Sequence, residues 1–62
     1  MTEPTAGEIE RVAVAIASAE MRIAGFSEVA VSIAETYARD VAVDTYGPAA
    51  RAAIIAIRET VQ

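Results

Sequence analysis

The stretches Thr5-Ala6-Gly7-Glu8-Ile9-Glu10-Arg11-Val12-Ala13 and Gly25-Phe26-Ser27-Glu28-Val29 decide the fold. In the first, Thr5 with Glu8 three residues on is a capping box, in which each residue satisfies a backbone N–H that a helix start leaves unpaired. Pro4 ends the leader just before it. In the second, Gly25 suits the left-handed position past a helix end, with Phe26 folding back toward Met21. Ser27 is then an N-cap, and Glu28 falls in the first turn, where the helix dipole favours an acid. One helix stops and another starts within three residues.

The segments on either side read as helices. At about 100° per residue, Ile9, Val12, Ile16 and Ile23 fall on one stripe flanked by Ala13, Ala19 and Ala24, with Arg11, Ser18 and Arg22 opposite. After Ser27, the stripe Val29, Ile33, Tyr37 and Val41 recurs at i, i+4, widened by Ala30 and Ala34, and Glu35 with Arg39 is an i, i+4 pair in the favoured orientation. Val41-Ala42-Val43, β-branched at alternate positions, could instead be a short extended piece. Gly47-Pro48 is expected to break the chain, with Pro48 at a first helical position. The third helix then presents Ala50, Ala53, Ile54, Ile57 and Val61. The spacing therefore predicts an all-α, three-helix arrangement, near 6–24, 28–45 and 48–61, with no sheet. It forms one helical domain over residues 1–62, of which 1–5 are a flexible leader.

Composition says this domain is thinly cored. Of 62 residues, 34 (55%) are apolar, but 15 of those are Ala, which leaves 34 − 15 = 19 larger side chains. A chain this short buries only about 60% of the surface its unfolded form exposes. Small domains compensate with disulfides, metals or oligomers, and with no Cys and no His the expected route is self-association. Val14, Met21, Val31 and Ile55 lie outside the apolar stripes and are the expected subunit-interface residues, most simply of a twofold homodimer.

Charge restricts partners and chemistry. Nine acids against five bases give −4 and a pI near 4.5, which disfavours nucleic acid and anionic lipid. The longest uncharged run, Val12 to Ala19, is eight residues, where a membrane span needs about 20 apolar ones. The N-terminus has neither the basic stretch nor the apolar run of a signal peptide, so a cytoplasmic location is expected. With no His, Cys or Lys to act as base or nucleophile, no catalytic residue, metal ligand or cofactor is expected.

Five charged residues remain as candidates for ligand or partner binding. Glu20 falls between Ile16 and Ile23, where an unpaired buried charge would cost several kcal/mol. Asp40 and Asp44 are one turn apart near the expected end of the second helix, where the dipole disfavours acids. An Arg, a metal or a ligand would resolve that, as would plain solvation of the two acids. Arg51 and Arg58 lie two turns apart and suit a phosphate-bearing ligand or a partner's carboxylates; equally, they could answer the bundle's own acids.

Glu8-Ile9-Glu10-Arg11-Val12-Ala13 and Ala50-Arg51-Ala52-Ala53-Ile54-Ile55-Ala56-Ile57-Arg58-Glu59 resemble the two ends of small uncharacterised helical proteins encoded by phages and prophages of GC-rich bacteria. The resemblance covers the ends and not the middle. It implies the cytoplasm of a bacterial host and an accessory protein that binds and blocks or sequesters a host component, such as a defence protein or a nucleotide signal. The expectation is thus a non-enzymatic, self-associating helical binding protein whose partners are itself and a host protein or small anionic ligand. The alternative is a structural or assembly accessory of a phage particle.

Overall fold

A computed structural model describes residues 3–61. Three helices follow in order: α1 (Ala6–Ile23), α2 (Glu28–Tyr37) and α3 (Arg39–Thr60). The described residues contain no strand. The expected leader, 1–5, lies partly outside the described residues; within them, Glu3 pairs with Arg51 and Thr5 caps α1.

Local signals set the ends of α1 and the start of α2. The Thr5 N–H donates to the Glu8 carboxylate at 2.8 Å, and the Glu8 N–H donates back to Thr5 Oγ1 at 3.1 Å. At the far end, Gly25 takes φ +92°, and the N–H groups of Gly25 and Phe26 donate to the carbonyls of Arg22 and Met21. That is the left-handed stop its lack of a Cβ permits. Ser27 Oγ accepts from the Ala30 N–H at 3.2 Å.

The second boundary differs from the sequence expectation. The chain does not break at Gly47-Pro48; α2 ends at Tyr37, Ala38 alone leaves helical geometry (φ −123°, ψ 28°), and α3 runs through Pro48. Val41-Ala42-Val43 is helical. The corner is held by Arg39, whose Nη1 donates to the Glu35 carbonyl at 3.3 Å and whose Nε reaches Glu10 of α1 at 2.9 Å. A carbonyl freed by the break thus gains a charged donor, and the corner is tied to α1. Gly47 without a Cβ removes one clash that a proline imposes on the residue before it.

Packing rests on small residues. Ala13, Ala42, Gly47 and Ala50 are buried, which lets α1 and α3 approach closely. Among the described residues only two larger apolar side chains, Val14 at 7% and Val31 at 1% exposure, complete the buried core. The expected faces are therefore corrected in part. Ile9, Val12 and Ile16 are half-buried while Ile23 is exposed; on α3, Ala50 is buried and Ile54 half-buried, but Ala53, Ile57 and Val61 are exposed. Ser18, assigned to the solvent side, is buried. On α2 the assignment is inverted: Val31 is buried, and Val29, Ile33 and Tyr37 are exposed; Val41, expected on the same helix, belongs to α3 and is exposed as well. The orientation goes with a polar contact: Glu35 accepts from the buried Ser18 of α1, and Val31, one turn earlier on α2, falls on the same inward side.

Candidate functional site

Two features of the molecule stand out. The first is a groove of about 150 Å³ where the three helices meet, walled by Val14, Met21, Val41 and Tyr46 with Ser18 and Glu35 as its polar side. Ser18, only 4% exposed, donates its hydroxyl to Glu35 Oε2 at 2.9 Å. A buried hydroxyl needs such a partner, since an unmade hydrogen bond there costs about 1–3 kcal/mol. Glu35 therefore faces Ser18 and not the side chain of Arg39, and the expected i, i+4 ion pair is replaced by Arg39 on the Glu35 carbonyl.

The second feature is the outer face of α2. Val29, Ile33 and Tyr37, 70%, 55% and 81% exposed, form an apolar stripe one helical turn apart, preceded by the exposed Phe26. On its other side α2 buries only Val31. The stripe was visible in the sequence by its four-residue spacing; its outward direction was not.

The candidate charged residues are not gathered into one site. Glu20, expected on the core stripe, is exposed and needs no buried partner. Asp40 and Asp44 are also exposed, and because α3 begins at Arg39, Asp40 sits in a first turn where the dipole favours it. For Asp40 the expected misplacement at a C-terminus is thus reversed, and Asp44, the sixth residue of α3, is no longer at a C-terminus. Arg51 pairs with Glu3, and Arg58 with Glu8; the second pair is the better protected. Neither Arg meets Glu20, Asp40 or Asp44 in these pairings. Of the interface candidates, Val14 and Val31 are already buried within one chain, and Met21 and Ile55 are half-buried.

The chain matches no protein-family model, no curated protein and no solved structure. No helix is long and apolar enough to cross a membrane among the described residues, and these contain no cluster of three metal-ligating side chains.

The ion pairs account for the charge. Four Arg engage four acids, Arg22–Glu28, Arg39–Glu10, Arg51–Glu3 and Arg58–Glu8, which leaves 9 − 4 = 5 acids and Arg11, or −4 in all. Glu20, Asp40, Asp44 and Glu59, all exposed, carry this excess together with Glu35. Two of the paired carboxyls titrate low. The Thr5 backbone N–H, aided by the Arg58 charge, holds Glu8 below its ordinary 4.5. The hydrogen bonds from Arg22 do the same for Glu28. A depressed folded value means stability that is present above the ordinary value and lost as pH falls through the folded one. Thermal melts taken stepwise from about pH 5 to about pH 3 should show a falling Tm. In Glu8→Gln, which still accepts from Thr5 but does not titrate, the fall should be shallower; equal slopes would refute the assignment.

Proposed function

We propose that this chain works by association and not by catalysis, as a non-enzymatic, self-associating helical binding protein of the phage and prophage accessory type that binds and blocks or sequesters a host component. The observation that carries this reading is the outer face of α2. A helix that turns one valine inward and a valine, an isoleucine and a tyrosine outward is built to meet something else, since apolar patches of this kind mark association surfaces. Its aromatic members, Tyr37 and the neighbouring Phe26, are of the kind enriched at interface centres.

A protein target is favoured over a nucleotide signal. The two bases that would line a phosphate pocket, Arg51 and Arg58, are engaged by Glu3 and Glu8, and an anionic ligand would have to displace carboxylates to reach them. Affinity capture from a lysate of the bacterial host, with wild type and Ile33→Asp as paired baits, tests the reading. A protein held by wild type and lost by the variant is the expected result; identical captures from the two baits would refute it. Titration with cyclic oligonucleotides should be flat. Binding that survives Ile33→Asp but disappears in Arg51→Ala/Arg58→Ala would move the function to the two Arg.

A further inference from the structure

The three helices enclose little between them. Among the described residues, Val14 and Val31 are the only apolar side chains larger than alanine that are buried. The radius of gyration, 12.6 Å, exceeds the roughly 10.6 Å of a compact chain of this length. The accessible surface, 4247 Å², likewise exceeds the roughly 3,800 Å² of a compact monomer of this mass.

We propose that the outer face of α2 is covered by α2 of a second copy of this chain, in an antiparallel twofold dimer whose axis passes at Ile33. The proposal rests on the reading of that face as an association surface and names its occupant. Its spacing is self-complementary: Val29 and Tyr37 stand four residues to either side of Ile33. Turned end for end, the stripe sets Ile33 against Ile33 and each Tyr37 ring against the smaller Val29, as an isologous contact requires.

Charge permits the approach. Ala30, Ser32 and Thr36 beside the stripe are uncharged. At 100° per residue, the α2 acids Glu28 and Glu35 fall on the far side, where Arg22 and Ser18 engage them. Two copies can therefore meet along this stripe without setting the acids of α2 against one another. The stripe and Phe26 expose on the order of 500 Å², beyond a scattered surface residue and below the roughly 800 Å² per partner of a standard interface. Ile23, exposed at the end of α1, extends the apolar area.

Sedimentation at micromolar concentration should give 13 kDa, twice the 6.5 kDa of one chain. Ile33 is more than half exposed in one chain, so Ile33→Asp should keep its helical circular dichroism. It should sediment as the monomer, its dimer weakened at least ~100-fold by two carboxylates facing each other on the axis. Because the sequence has no Cys, single-Cys variants report the register. Ile33→Cys should cross-link to its own copy on oxidation, whereas Val29→Cys and Tyr37→Cys should cross-link only when mixed. A wild-type monomer, a persistent Ile33→Asp dimer, or Val29→Cys joining itself would each overturn the proposal. A wild-type monomer with Ile33-dependent capture would overturn the dimer alone. A dimer that forms as described while wild type and Ile33→Asp capture the same host proteins would uphold it and remove the host-binding reading.

Discussion

Pro48→Ala should stabilise the protein by about 2 kcal/mol, raising Tm by roughly 8–16 °C for a domain of this size. Pro48 is the tenth residue of α3, well past the first turn where proline is harmless. It has no N–H to donate to the Asp44 carbonyl, and its ring crowds that same carbonyl; together these cost about 3 kcal/mol relative to Ala in a helix interior. Three effects reduce the gain. Asp44 and Pro48 are exposed, so water takes the freed carbonyl. Gly47 relieves the crowding ahead of the ring, and proline narrows the unfolded ensemble. Melts followed by circular dichroism at one protein concentration give the answer. An unchanged or lower Tm would mean that the chain gains nothing from a continuous helix at Asp44–Pro48.

Val31→Asp should undock α2. Among the described residues Val31 is the only large side chain that is fully buried, and it is the only buried residue of α2. A ten-residue helix does not hold itself in water, so its order depends on this anchor. A carboxylate there would have no cationic partner and would sit one turn from Glu35, at a cost of several kcal/mol. Against a total stability of roughly 3–9 kcal/mol for 62 residues, that is a decisive fraction. Hydrogen exchange should show the amides of residues 31–37 losing protection before those around Ala13 and Ala50. Unaltered protection across α2 would show that something other than Val31 holds the helix.

The candidate site was legible only as a pattern. The i, i+4 run Val29, Ile33, Tyr37 can be read from the sequence, but an apolar stripe carries no mark saying whether it faces the chain's own core or another molecule. The same holds for the acids. Glu20 reads as buried only if the Ile16–Ile23 stripe is inward, and Asp40 reads as misplaced only if a helix ends after it. The carboxylates Glu10, Glu3 and Glu8 that pair with Arg39, Arg51 and Arg58 lie 29, 48 and 50 residues away, beyond any local spacing.

The sequence by itself determined the helical class, the start of α1 at Thr5, its stop at Gly25 and the restart at Ser27. It did so because capping and the left-handed stop act within about four residues, where the chain cannot avoid bringing the groups together. The tertiary structure alone decided that α3 begins after Ala38 and passes through Pro48, that Ser18 is buried against Glu35, and that α2 turns Val31 inward. Each of these depends on a contact with another helix: Arg39 with Glu10, Ser18 with Glu35, Gly47 beside Ile9. Proline's preference against helix interiors is a bias of a few kcal/mol, and packing along α1 can outweigh it in a way no single segment reveals.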